Sequence, residues 1–248
     1  MPVSAPVSSV SLRVAAIFSL MGAMLFVVAL ACGAWFYQVR LRPVPPGLTP
    51  WTAAEAVPFN FALFSAFALH HSLLARPRVK RWLSRIVPPE LERAAFVWVA
   101  SALFIAMCLA WRPATGVVWE LRSGMQFLGY AMQLAGLWFT VAGARAIDVL
   151  DLAGVRWVLS GPEVLGAGED VTERGPFTFV RHPIYLGWVL LTFGVPEMTL
   201  GRLTFAFISF VYLLVAIPFE ERALVQRHGA SYRRYQSRVR WRLFPGMY

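Results

Sequence analysis

RHPIYLGWVLLTFGVPEMTLGRLTFAFISFVYLLVAIPFEER, residues 181–222, reads as a membrane hairpin with polar chemistry at its open end. It begins on a cation and an imidazole, Arg181 and His182, passes through two apolar runs, 184–200 and 203–219, and closes on the carboxylates Glu220 and Glu221. Pro183 suits the first position of a helix, where its missing N–H costs nothing, so a helix is expected to begin at His182-Pro183. The chain then crosses, turns near Leu200-Gly201-Arg202 and returns. Two helices of about 17 residues rise roughly 26 Å each, enough to cross the hydrocarbon and come back. Glu220 and Glu221 are thereby expected beside Arg181 and His182. Two adjacent carboxylates at a membrane helix end are costly unless paired, solvated or used. One reading of the pattern is an Arg–Glu clamp tying two helix ends; the other is a binding site.

Outward from the hairpin, the chain of 248 residues is 58% hydrophobic and only 15% charged, and its mean hydropathy is +0.59. Soluble domains are far more charged. About six segments are long and apolar enough to span a bilayer: 12–37, 57–75, 94–111, 125–144, 184–200 and 203–219. None alternates apolar and polar residues at period two, which excludes a membrane barrel. The expected fold is all-α, a polytopic transmembrane helix bundle of about six spans with a cytosolic, amphipathic carboxyl-terminal helix.

The net charge of +10 lies beside the spans rather than on one binding face. Arg76, Arg78, Lys80, Arg81, Arg85 and Arg93 separate the second and third spans, and Arg222, Arg227, Arg233, Arg234, Arg238, Arg240 and Arg242 follow the sixth. The positive-inside rule makes both segments cytosolic. Six spans meet that parity, with 38–56 outside and 76–93, 145–183 and both termini inside. Such residues attract anionic membrane lipid. Nucleic acid is not an expected partner, and no obligate protein partner is indicated.

Residues 14–30 resemble a signal-peptide core but run long for one, and are read as a retained first span. Cys32 and Cys108 are the only cysteines and offer no disulfide framework or cysteine-based metal site. Pro43, Pro45, Pro46 and Pro50 make 42–50 an extended loop. The 145–183 loop is longer than a bundle needs; Ile147, Leu150, Val155, Val158 and Leu159 give its start an apolar face suited to a lid or to a plain connector. Gly166-Ala167-Gly168 lacks the strand and third glycine of a nucleotide loop and reads as a turn. Beyond the hairpin, Tyr232, Tyr235 and Val239 share one face of a short helix whose other faces carry arginines, and that aromatic face is expected to fold back over the hairpin's open end.

Arg181-His182-Pro183-x-Tyr185-x-Gly187, then Glu220-Glu221 with Leu224, then Gly229-x-x-Tyr232-x-x-Tyr235 resembles a family of integral-membrane methyltransferases related to isoprenylcysteine carboxyl methyltransferase and phospholipid N-methyltransferases. A looser resemblance covers Phe67 to Pro77 with His70 and His71, then Lys80-Arg81-Trp82, Pro88-x-Glu90-x-Glu92-Arg93 and Trp111-Arg112-Pro113. This second pattern is similar to bacterial methanethiol S-methyltransferases and NnrU-like proteins. The chain departs from it at His70, where glutamine is expected, and in its longer 145–175 loop.

The resemblance implies an enzyme using S-adenosyl-L-methionine. Residues 145–248 would form the cofactor-binding catalytic half and 1–144 a four-span amino-terminal bundle. Arg181, His182, Pro183, Tyr185, Gly187, Glu220, Glu221 and Tyr232 would line the cofactor, with His71 or Glu221 in a catalytic role. The acceptor implied is a small hydrophobic thiol such as methanethiol, giving a thioether; a prenylated cysteine carboxylate or a lipid acceptor is the alternative. A haem or quinone protein using His70, His71 and His182 is the alternative of another class, and no metal ligand set is evident. The implied location is the inner membrane of a bacterium, with the site facing the cytosol.

Overall fold

The computed structural model describes residues 11–45, 47–74, 79, 82–83, 85–147, 150, 153–156, 158 and 171–248. Its order is α1 (Leu12–Trp35), a π-helical turn (Phe36–Arg40), α2 (Ala53–Leu74), α3 (Pro89–Ala110), β1 (Val117–Glu120), α4 (Gln126–Ala146), a 3₁₀ turn (Gly175–Thr178), α5 (Pro183–Phe193), β2 (Glu197–Thr199), α6 (Leu200–His228) and α7 (Ala230–Arg238). The all-α membrane bundle expected from composition is what forms. Among the described residues five helices are long and apolar enough to span: Arg13–Arg40, Ala53–Leu74, Leu91–Ala110, Gln126–Ala146 and Leu200–His228. Their outward faces carry apolar residues such as Met24, Val27, Leu69, Leu134 and Phe207, which suits lipid rather than water.

The sixth segment differs from expectation. Instead of a helix over 184–200, α5 stops at Phe193 after 11 residues, too short to cross. Pro196 lacks an N–H and disfavours helix at Val195, and the chain runs on as β2. Extended backbone that is buried must find hydrogen-bond partners within the protein. β1 supplies them: it pairs antiparallel with β2, Val117 opposite Thr199 and Glu120 opposite Glu197, while Leu121 N–H donates to the Pro196 carbonyl at 2.8 Å. The reversal therefore occupies 194–199. Leu200-Gly201-Arg202, expected as the turn, is the first turn of α6, capped by Thr199 Oγ1 accepting from Arg202 N–H at 3.1 Å.

The chain forms two compact units. The first contains residues 1–34, 66–110 and 150–167, and the second 35–65, 111–149 and 168–248. In the first, Gly22 admits the Trp98 indole, whose Nε1 donates to the Phe18 carbonyl at 3.0 Å. Arg76, Arg78, Lys80, Arg81, Ser84, Leu159 and the 166–168 turn lie outside the described residues; of the apolar face at 147–159, Val155 is buried.

In the second unit the segments expected outside the membrane meet at one end. Buried Arg202 donates to the carbonyls of Glu197 at 2.6 Å, Tyr37 at 3.3 Å and Gln38 at 3.4 Å, and Thr199 Oγ1 donates to Leu41 O at 2.7 Å. The tyrosine hydroxyl of Tyr37 donates to the Thr192 carbonyl. From that end α5 and α6 run to the opposite one, α5 packed on α4 through bare backbone. A Cβ on Gly136 would lie 2.7 Å from the Gly187 carbonyl, and one on Gly187 2.6 Å from that of Gly136.

Candidate functional site

The opposite end is built by α5, the last turns of α6 and the tail. Pro183 begins α5 with His182 as its cap, as the sequence predicts, and the His182 carbonyl accepts from Tyr185 N–H at 3.1 Å and Leu186 N–H at 3.0 Å. α6 extends beyond its apolar run, which ends at Phe219, and carries Glu220 and Glu221 out with it. Gly229 ends that helix at φ +56, a left-handed backbone that favours glycine, and turns the chain into α7. The tail then returns alongside the start of α5: Arg181 N–H donates to Trp241 O and His182 N–H to Arg242 O, both at 2.9 Å. Leu243 anchors it in an apolar cluster with Val180, Leu186, Val189, Leu213 and Ile217.

Glu221, 4% exposed, is the hub. Its Oε1 accepts from Arg181 Nε at 2.6 Å and lies 3.4 Å from His182 Nε2; its Oε2 accepts from Arg242 Nε at 3.0 Å and Gln236 Nε2 at 3.4 Å. Arg181, also buried, sends Nη1 to the carbonyls of Val239 and Arg240, each at 2.8 Å. A carboxylate and a guanidinium are stable here because each has charge and hydrogen bonds from the other or from backbone. The clamp foreseen between the helix ends is therefore present.

Glu220 differs. Its side chain is 42% exposed, and its Oε2 accepts from Tyr185 OH at 2.7 Å. The Tyr185 ring stacks on His182 at 5.3 Å with planes 5° apart. Tyr232 and Tyr235 are buried on one face of α7 with arginines on the others. Tyr235 OH donates to Phe177 O at 2.8 Å. The Tyr232 hydroxyl, within electrostatic range of Glu221, Arg181, Glu220 and Arg242, makes no hydrogen bond among the described residues. Burial pushes both phenols above their ordinary range and keeps them neutral donors.

Of the residues singled out from sequence, Arg181, His182, Pro183, Tyr185, Glu220, Glu221 and Tyr232 come together. Gly187 is one turn further along α5 and faces α4, meeting Gly136 and Thr140. His71 belongs to the first unit, where its ring lies 5.9 Å from that of Phe67 and 5.1 Å from that of Phe96. Its buried Nδ1 has no hydrogen-bond partner among the described residues. Val239, expected on the helical face, lies just beyond α7 in extended backbone and serves Arg181 through its carbonyl. Gln236, Arg242 and Tyr248 were not foreseen as members. Arg242 looked like one more lipid-facing charge, yet it bonds Glu221 and donates from Nη1 to Tyr248 OH at 3.2 Å.

Residues 163–226 match the model described as the isoprenylcysteine carboxyl methyltransferase (ICMT) family. The chain is 34% identical over 194 residues to methanethiol S-methyltransferase 2 of Bradyrhizobium diazoefficiens, spanning 77% of this chain and 74% of that protein. It is 35% identical over 198 residues to the methanethiol S-methyltransferase of Mycobacterium tuberculosis, spanning 75% and 77%. The chain belongs to the isoprenylcysteine carboxyl methyltransferase family. It is similar as well to human nurim, 25% identical over 80% of this chain and 86% of that one. No solved structure matches it. Membership and the five apolar helices make the protein an integral-membrane methyltransferase.

Proposed function

We propose that this family member methylates a small hydrophobic thiol such as methanethiol, with S-adenosyl-L-methionine as donor bound by the carboxyl-terminal half, residues 145–248. The observation that carries the reading is the convergence of Arg181, His182, Tyr185, Glu220, Glu221 and Tyr232 at one end of the second unit. Their chemistry fits a zwitterionic ligand. Tyr232 supplies a hydroxyl with no hydrogen-bond partner among the described residues beside cationic and anionic groups, and Glu220 an accessible carboxylate for an ammonium or ribose hydroxyls. When bound, the donor supplies an activated methyl on a sulfonium.

The chain's own residues then align and exclude water, the larger part of catalysis for an in-line transfer. Glu221 fixes Arg181 and His182, and through Arg242 and Gln236 it holds the tail across the site. Tyr185 orients Glu220 by its hydroxyl and His182 by its ring. Pro183 starts α5 beside the cluster with His182 as its cap, and Gly187 lets α5 seat deeply against α4. For the thiol proton the general base we propose is His71, whose Nδ1 has no hydrogen-bond partner among the described residues.

The thiol acceptor is supported by the relatives named methanethiol S-methyltransferase. The basic tail beside the site supports a cytosolic orientation. Calorimetry of the purified protein tests the donor site: S-adenosylmethionine is expected to bind, and Tyr232→Phe and Glu220→Gln each to weaken it at least tenfold, about 1.4 kcal/mol. Unchanged affinity in both variants would remove the site from the account.

A further inference from the structure

Trp111-Arg112-Pro113 has no part in the reading above, yet Arg112 is held in an unusual way. Its guanidinium carbon lies 3.8 Å from the Trp51 ring centroid and 3.6 Å from that of Phe59. Among the described residues no other arginine lies within 4 Å of two rings. The backbone beneath is fixed as firmly. Asn60, fully buried, spends its whole amide on this residue, Nδ2 donating to Arg112 O at 2.8 Å and Oδ1 accepting from Arg112 N–H at 2.9 Å. Trp111 beside it is buried against Phe36 and Phe205, at 5.5 and 5.7 Å between ring centroids.

This effort positions a guanidinium whose N–H groups have no hydrogen-bond or ion-pair partner among the described residues. The acidic neighbour within electrostatic range is Glu55, whose Oε2 is taken by the N–H and hydroxyl of Thr52, at 2.9 and 2.8 Å, as the cap of α2. Rings on its faces leave the guanidinium only its edge, a planar fork of donors that matches two oxygens of one phosphate. Depth selects the occupant. Arg112 lies two residues past the end of α3 and packs on Trp51, two residues before α2, and on Phe59 and Asn60 within the first eight residues of α2, so it sits close to where one membrane span ends and another begins. That is the level of lipid headgroups, and Trp is a residue of that level.

We propose that Arg112, held between Trp51 and Phe59, binds a phosphate group at the membrane surface, supplied by the headgroup of an anionic phospholipid. The site lies at the end of the second unit opposite the methyltransferase cluster and is independent of it.

The test is thermal unfolding of the full chain in neutral detergent, titrated with phosphatidylglycerol, phosphatidylcholine or inorganic phosphate. Phosphatidylglycerol is expected to raise the transition temperature saturably, as ligand linkage requires, and phosphatidylcholine to do so far less. Arg112→Lys keeps the charge but loses the fork, and is expected to raise the half-saturating lipid concentration at least fivefold; Arg112→Gln should abolish the saturable shift. Arg233→Gln, exposed on α7, should leave it unchanged. An Arg112-dependent shift with inorganic phosphate alone sustains the phosphate site and assigns its source to the free anion. No shift with either probe, or a shift that both Arg112 variants retain, overturns the proposal. If Arg112→Gln does not fold, Arg112→Lys decides.

Discussion

Glu221→Gln should release the tail, because the carboxylate is where α5, α6 and the tail are tied. The substitution keeps shape and one acceptor oxygen but removes the charge that neutralises Arg181, which is 8% exposed. Removing one member of a buried ion pair costs about 3–5 kcal/mol. Arg181 keeps its two carbonyl partners, Val239 and Arg240, which argues for the low end, about 3 kcal/mol. At tenfold per 1.4 kcal/mol, the detached state becomes roughly a hundred times more populated. Arg233, Arg234 and Arg238 on α7 are exposed and are trypsin sites, so tail cleavage reports the detached population when reattachment outpaces cutting. Glu221→Gln should be cut about a hundred times faster than wild type by the same conversion. Arg181→Gln combined with Glu221→Gln should be cut little faster than the single variant, since partners in one pair do not act additively. A cleavage rate like the wild type's, or two substitutions whose effects multiply, would refute the clamp.

Gly187→Ala would drive a Cβ to 2.6 Å from the Gly136 carbonyl and into the Thr140 hydroxyl, and should destabilise by about 1–3 kcal/mol in thermal or denaturant unfolding. Gly201→Ala, whose Cβ would meet Leu41 at an ordinary 3.4 Å, should be nearly neutral, and equal losses would contradict the packing argument. Tyr232 and Tyr235 have raised pKa values in the folded tail, so their contribution is whole below the unfolded value near 10 and is lost as pH rises through the folded values. Protease resistance of the tail should therefore fall above pH ~10, less steeply in Tyr232→Phe; resistance flat across that range would count against burial of these phenols. Cysteine placed at Ser237 should escape a membrane-impermeant label in intact cells while one at Thr49 reacts, and the reverse pattern would invert the orientation.

The hairpin was legible because its signals are local: a proline at a helix start, an apolar run and a carboxylate pair. Its depth was not. Residues 184–200 have the apolarity of a span, but Pro196 breaks the helix, and pairing with Val117–Glu120 is a contact across some eighty positions that no periodicity announces. The site was readable where residue type carried chemistry, as at Arg181, His182, Glu220 and Tyr232. It was opaque where a common residue is recruited by packing. Arg242 is one of many tail arginines, and its bond to Glu221 follows from Leu243 being drawn into the apolar cluster beside it. Gly187 belongs to the conspicuous pattern, yet the backbone it approaches is on α4, far away in sequence.

The central claim is methyl transfer from S-adenosylmethionine to a short thiol at this site. Purified protein supplied with methyl-labelled S-adenosylmethionine and a panel of short thiols, prenylcysteines and phospholipids measures it directly. The account predicts labelled thioether from methanethiol or a similar thiol, with His71→Ala lowering the rate more than it weakens donor binding. Label found only in prenylcysteine esters or lipids would contradict the thiol assignment, and no donor binding or transfer to any acceptor would contradict the account as a whole.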